Sequence, residues 1–98
     1  MIYVACALKE EAESIGRTVI KDRLAACANI IDGSRSICRW KGKIEEANEA
    51  VLLLKTTAEQ VPKIMERVKE LHSYECPCIV TIPILEGNKE YLAWMENP

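Results

Sequence analysis

Residues 2–8 read Ile-Tyr-Val-Ala-Cys-Ala-Leu, and this stretch decides the fold. Its side chains are apolar at both the odd and the even positions. Because successive side chains of a strand point to opposite faces of a sheet, the pattern predicts a strand that is covered on both sides and lies centrally in its sheet. A fold for this chain therefore has to cover both faces of the strand.

A helix is predicted directly after this strand, from Lys9 onward. Acidic residues crowd its start, where they interact favourably with the helix dipole. Apolar residues then recur at helical spacing, which is typical of a helix that packs one face against a core. The residues of this apolar face are Ala12, Ile15, Gly16, Val19, Ile20 and Leu24.

The middle of the chain has the pattern of a long β-hairpin. Residues 28–40 are predicted to be extended, with a turn or bulge at Asp32-Gly33. Gly42 supplies a tight reversal after Lys41, and residues 50–56 (AVLLLKT) form an apolar strand. The charged segment 43–49 between them is interpreted as a hairpin arm that extends beyond the sheet.

The last third of the chain is predicted to hold a helix, a strand and a short terminal helix. The first helix carries an apolar stripe and starts near Glu59, because a start at Thr57, the first residue of a possible capping box, would place Pro62 too deep in the helix. Residues 78–85 form a strand with Pro83 at an edge or a bulge. Asn88 caps a final helix over residues 89–97. The stripe consists of Val61, Ile64, Met65, Val68, Leu71 and His72.

The element order is therefore β-α-β-β-α-β followed by a terminal helix. It predicts an α+β fold, a ferredoxin-like split-βαβ sandwich with an antiparallel sheet, a long β-hairpin and an extra C-terminal helix. The two main helices would cover one face of the sheet and leave the other open. Because the first strand is apolar on both sides, an oligomer is the simplest way to cover the second face.

Length and composition restrict the class of protein. With 98 residues the chain is predicted to be a single domain, residues 1–98, and its 49% hydrophobic content argues against disorder. No apolar stretch approaches the roughly 20 residues of a membrane span. A net charge of -2 provides no field that would attract nucleic acid. The start at Met1 has neither a basic leader nor a cleavage site, so a cytoplasmic location with reduced thiols is expected.

Six side chains could carry chemistry: the five cysteines and the single histidine, His72. His72 is interpreted either as a structural helix-end residue or as a metal ligand. Cys76 and Cys78 would share a face of a strand, and this spacing is a weak indication of a metal site. Their soft sulfur ligands, together with one imidazole, would suit Cu(I) better than Mg²⁺ or Ca²⁺. The alternative is that all five thiols are reduced packing residues without a metal or redox role. No phosphate-binding glycine loop and no acid–base–nucleophile set is visible, so no enzymatic activity is expected.

Four segments together resemble the CutA divalent-cation tolerance family across essentially the whole chain. They are residues 24–30 (LAACANI), 39–47 (RWKGKIEEA), 69–79 (KELHSYECPCI) and 87–94 (GNKEYLAW). The resemblance implies a compact homotrimer of ferredoxin-like subunits that is linked to metal tolerance, chiefly to copper. It further implies Cys6, Cys27 and His72 as the metal ligands.

The sequence also departs from the family pattern. Ser73 replaces a usual proline, Cys76 a usual aliphatic residue and Cys78 a usual glutamate, while Cys38 stands where an aromatic residue is common. Proteins of the CutA family also resemble PII-like signalling proteins in fold. This analogy keeps open the alternative of a trimer that binds a small regulatory ligand in clefts between subunits.

Overall fold

The computed structural model describes all 98 residues. Its four strands form one antiparallel sheet in the order β2-β3-β1-β4, and three helices complete the α+β fold that the sequence predicts. In chain order the elements are β1 (Ile2–Cys6), α1 (Lys9–Lys21), β2 (Cys27–Trp40), β3 (Lys43–Lys55), a 3₁₀ turn (Ala58–Gln60), α2 (Val61–Leu71), β4 (Ile79–Thr81) and α3 (Lys89–Glu96).

Strand β1 lies centrally, as its two apolar faces predict. Ile2 pairs with Leu54 of β3 on one side and with Thr81 of β4 on the other. The strand is shorter than the predicted residues 2–8, because Leu8 becomes the residue that caps α1. The Leu8 carbonyl accepts the first helical hydrogen bond, 3.1 Å from the nitrogen of Ala12.

The core lies between the sheet and the helices α1 and α2. Twelve buried residues form it: Ile2, Val4, Cys6, Ala12, Ile15, Val19, Ala25, Ala50, Leu52, Leu54, Ile64 and Val68. Gly16 brings α1 close to the sheet, because a Cβ at this position would lie 3.0 Å from the Cβ of Ala28. The predicted apolar stripes of both helices therefore face the same side of the sheet.

The hairpin of β2 and β3 extends beyond the body of the sheet, as predicted for segment 43–49. Its pairing continues to Trp40 opposite Lys43, and the register shifts between Ile31 and Ser34 at the predicted Asp32-Gly33 bulge. The tip turns through Lys41 and Gly42, whose φ angles are 50° and 78°. A positive φ is easy for glycine, which explains Gly42 at the reversal.

The end of the chain corrects three sequence predictions. Helix α2 starts at Val61 instead of near Glu59, because a 3₁₀ turn over Ala58–Gln60 precedes it, and Pro62 falls in the first turn of the helix. The absence of a capping hydrogen bond from Thr57 agrees with the prediction that the helix does not start there. Strand β4 covers only Ile79–Thr81 instead of residues 78–85, although Ile82 still exchanges two backbone hydrogen bonds with Met1. Pro83 has no N–H to continue the ladder. The Asn88 side chain caps α3 as predicted, 3.0 Å from the nitrogen of Glu90, and this helix ends at Glu96 instead of residue 97.

The second face of the sheet stays partly open. Ile31 of β2 and Val80 of β4 lie on it with 54% and 49% of their surface exposed. The Lys55 ammonium lies 5.4 Å from the ring centroid of Tyr91, which places α3 beside one end of β3. None of the three helices combines the length and the apolar character needed to cross a lipid bilayer.

Candidate metal centre

Three different metal-ligating side chains meet where β1 ends. The Cys6 sulfur, a Glu11 carboxylate oxygen and a His72 ring nitrogen all lie within 4.8 Å of one another. Cys6 is the last residue of β1, Glu11 lies near the start of α1, and His72 follows directly after α2. The three elements converge because only two residues separate α1 from the end of β1 and because α2 runs back towards the same end of the sheet.

Both ring nitrogens of His72 are engaged in hydrogen bonds. Nε2 lies 2.7 Å from the carbonyl oxygen of Ala5, which can only accept, so Nε2 carries the hydrogen. Nδ1 accepts from the backbone N–H of Tyr74 at 3.0 Å. The hydrogen-bond network thus assigns the neutral Nε2–H tautomer. The imidazole is buried, so the structural interpretation of this helix-end histidine is supported.

Glu11 also approaches the Nδ1 nitrogen of this ring. Its Oε1 lies 3.4 Å from Nδ1 of His72 and accepts a hydrogen bond from the Ser73 backbone N–H at 3.3 Å. Nδ1, whose lone pair accepts from the Tyr74 N–H, and a carboxylate oxygen therefore lie close together, and a cation bound by both would draw the lone pair away from that N–H. Sequence reasoning placed this glutamate only in the acidic helix start. The available signal was its position five residues after Cys6, across a short strand-to-helix connection.

Cys6 is a buried thiol that stays protonated at neutral pH. Burial, together with the negative charges of Glu11 and Glu49, raises the pKa of Cys6 to about 11. Catalytic cysteines need the opposite shift, because the thiolate is the nucleophile. The environment of Cys6 therefore disfavours nucleophilic catalysis at neutral pH, whereas a bound cation could still displace the proton.

Hydrogen bonds among Glu49, Tyr74 and Ser36 surround the three candidate ligands. Glu49 accepts from the hydroxyl of Tyr74 at 2.7 Å with one oxygen and from the Ser36 hydroxyl with the other. Burial and the hydrogen bond to Glu49 raise the pKa of Tyr74 to about 12. The rings of Tyr74 and His72 pack with their centroids 4.8 Å apart. Because the N–H of Tyr74 also binds Nδ1, this network helps to hold the imidazole in place.

Cys27, the third predicted ligand, lies elsewhere. It pairs with Lys55 at one end of β3, whereas Cys6 pairs with Ala50 five residues away. Five residues of strand span about 17 Å. Its thiol is 3.9 Å from the Asn29 side-chain oxygen, beside a shallow groove along α1. The fold therefore brings Cys6 and His72 together with Glu11 and leaves Cys27 outside this group within one chain.

The other three cysteines are exposed and also lie outside the group. Cys76 and Cys78 precede β4 in a segment without regular structure, so they do not share a strand face as the sequence suggested. Cys38 lies on the hairpin arm opposite Glu45. Within one chain these three thiols do not pack, because free cysteines that pack are buried.

Comparison with known proteins places this chain in a family. The family model described as "CutA1 divalent ion tolerance protein" matches residues 1–98. The chain belongs to this family. The resemblance seen in the four sequence segments is confirmed, and the family description supports a role in divalent cation tolerance.

Two relatives illustrate the match. The divalent-cation tolerance protein CutA of Thermus thermophilus is 46% identical over 97 residues, which cover 99% of this chain and 94% of that protein. Its solved structure superimposes with a TM-score of 0.94 over 97% of this chain and 92% of the other. The structure described as the periplasmic divalent cation tolerance protein CutA of Archaeoglobus fulgidus is 42% identical, with a TM-score of 0.92 over 96% and 91% of the two chains.

Proposed function

We propose that this protein is a non-enzymatic, cytoplasmic homotrimer that serves divalent cation tolerance by binding the metal ion at Cys6, Glu11 and His72. Copper is the ion to test first. The observation that carries the proposal is the convergence of a thiol, a carboxylate and an imidazole within 4.8 Å in a partly buried position. Ions that take oxygen ligands alone, such as Mg²⁺ and Ca²⁺, do not suit this mixture.

The donor set favours a divalent ion of intermediate softness. Thiolate and imidazole bind copper and zinc, and a carboxylate ligand is common around Zn²⁺. Nδ1 of His72 is the nitrogen that faces Glu11, and the metal would replace the Tyr74 N–H as its partner. The other nitrogen already donates to the Ala5 carbonyl, the outer hydrogen bond that metal-ligating histidines usually make.

Metal addition is expected to stabilise the protein through this centre. Free metal at about 100 times its Kd would raise the free energy of unfolding by about 2.7 kcal/mol. Cys6→Ser and Glu11→Gln should each remove most of this gain because each deletes a ligand, whereas Glu10→Gln alters a neighbouring exposed carboxylate and should keep it. Thermal unfolding with Cu²⁺, Zn²⁺ and Mg²⁺ measures the effect, after metal analysis of protein purified without chelator.

Two outcomes would contradict this assignment. If Glu10→Gln reduced the metal-dependent shift of the unfolding temperature as much as Glu11→Gln, the shift would come from the general negative charge of the surface and not from a specific site. If no metal shifted the unfolding temperature and nucleotides did, the PII-like alternative, a small regulatory ligand bound between subunits, would replace the metal proposal.

Metal affinity is expected to rise with pH. Because the pKa of Cys6 is about 11, the thiol keeps its proton at neutral pH and the metal has to displace it. The apparent affinity should therefore increase about tenfold per pH unit between about pH 7 and pH 9, with one proton released from this thiol. Titration in buffered metal measures the slope. Cys6→Ser should flatten it, and an unchanged slope in this variant would show that the proton comes from another group.

The cytoplasmic location is supported by the thiols. Cys38, Cys76 and Cys78 are exposed and free in the single chain, and the reducing conditions of the cytoplasm keep such thiols reduced. The relative from Archaeoglobus fulgidus is described as periplasmic, so the location needs a direct test. Cell fractionation with antibody detection would place the protein. Recovery in an extracytoplasmic fraction with oxidised cysteines would overturn this part of the proposal.

A further inference from the structure

The segment between α2 and β4 carries two exposed thiols on either side of one proline, in the order Cys76-Pro77-Cys78. Two residues of chain span at most about 7 Å, so the two Cα atoms lie within that distance. Pro77 fixes its own φ and reduces the number of conformations between the two cysteines. At this Cα separation, two thiols can bind a single ion when their side chains turn towards each other.

The fold holds this segment at both ends. At its end the backbone N–H of Ala5 donates to the carbonyl oxygen of Cys78 at 3.3 Å, and Ile79 then pairs with Val4 in the sheet. At its start the buried ring of His72 binds the N–H of Tyr74. Anchored ends limit the conformational freedom that a ligand would have to remove, which favours binding.

Packing within one chain does not explain the two cysteines. Free cysteine is among the most buried residue types, yet both of these side chains are exposed. Their thiols therefore differ from that of Cys6, which is enclosed by the core. Cys38 is also exposed, but it lies alone on the hairpin arm and offers a single sulfur ligand.

We propose that Cys76 and Cys78 form a second metal site, a surface bis-thiolate that takes a soft monovalent cation, separate from the centre at Cys6, Glu11 and His72. Thiolate ligands select ions such as Cu(I) over hard cations. Two thiols and one monovalent cation give a bis-thiolate complex and release two protons, with no change in oxidation state. The proposal does not depend on the metal centre described above, because the two sites share no ligand.

The test is competition for Cu(I) with a chromophoric Cu(I) chelator, without oxygen and in the presence of a thiol-free reductant. The paired variant Cys76→Ser/Cys78→Ser is expected to lose at least about 100-fold in affinity at the tightest site. Cys76→Ser and Cys78→Ser alone should each lose most of the same affinity. A single thiolate binds the ion without a second thiolate held close to it at a high local concentration. These surface substitutions should leave folding intact, and thermal unfolding checks this.

Two matched variants make the result decisive. Cys38→Ser, which removes an equally exposed but solitary thiol, and Cys6→Ser, which removes the buried thiol, should both keep the tight Cu(I) site. Retention of wild-type affinity by Cys76→Ser/Cys78→Ser would overturn the proposal. An equal loss of Cu(I) affinity in Cys38→Ser would also overturn the proposal. The affinity would then depend on the number of thiols in the chain and not on the pair at Cys76 and Cys78. Loss of Cu(I) affinity in Cys6→Ser alone would show that the soft ion binds at the buried centre and not at Cys76 and Cys78. The proposal of a divalent-metal centre would be unaffected by that result.

Discussion

The protein is expected to behave in solution as a trimer, with about three times the 11.1 kDa mass of one chain. One chain leaves apolar surface exposed on the second face of the sheet, at Ile31 and Val80, and on the hairpin arm, at Ile37 and Ile44. Patches of this kind mark association surfaces in soluble proteins. An obligate interface built on them should bury about 2,000 Å² or more. The number three follows from the family resemblance, and sedimentation at micromolar concentration measures it.

Charged substitutions on these two surfaces should break the trimer. Val80→Glu places a carboxylate on the open sheet face and Ile44→Glu places one on the hairpin arm, where each would be buried without a partner. The mass is expected to fall to that of one chain in both variants. Ser14→Glu, on the exposed side of α1, is the matched control and should stay trimeric. A wild-type mass near 11.1 kDa would rule out the assembly, and two trimeric variants would show that other surfaces form it.

Replacement of His72 by alanine is expected to lower the free energy of unfolding by about 2–4 kcal/mol and to abolish metal stabilisation. The substitution leaves the Ala5 carbonyl and the Tyr74 N–H without their partners. It also opens a cavity beside the Tyr74 ring, which now lies 4.8 Å from the imidazole. Denaturant unfolding with and without metal separates the two effects.

Glu11→Gln is the matched control for this double role. The amide oxygen can still accept from the Ser73 N–H, so the loss of stability should stay below about 1 kcal/mol while the metal effect disappears. A His72→Ala variant that remained as stable as wild type would contradict the structural role of the imidazole. One that lost stability but kept the full metal-dependent shift would remove His72 from the ligand set.

Local patterns in the sequence were enough to predict most of the fold. The two apolar faces of residues 2–8 predicted a central strand, and β1 lies between β3 and β4. Gly42 and the Asp32-Gly33 pair predicted the hairpin tip and the bulge, because these backbone conformations favour particular residues. Element ends were less accurate: Leu8 caps α1 instead of ending β1, since a cap depends on the helix that follows.

The candidate centre depended on tertiary structure. Periodicity indicates which face of an element a residue occupies, but it does not indicate which ends of distant elements meet. Cys27 matched the family pattern as well as Cys6, yet the pairing of β2 with β3 places it at the far end of the sheet. In the sequence, Glu11 is one of several acidic residues at the start of a helix. In the structure, Nδ1 of His72, at the end of α2, lies 3.4 Å from its carboxylate.

The sequence by itself therefore determined the element order, the central strand, the long hairpin and the family, and the resemblance to that family named two side chains of the candidate centre, Cys6 and His72. Only the tertiary structure decided that Glu11 joins them, that Cys27 does not, and that Cys76 and Cys78 lie exposed. The physical reason is that strand and helix patterns arise from neighbours a few residues apart. Ligand geometry arises instead from strand pairing and helix packing between residues up to 66 positions apart, such as 6 and 72.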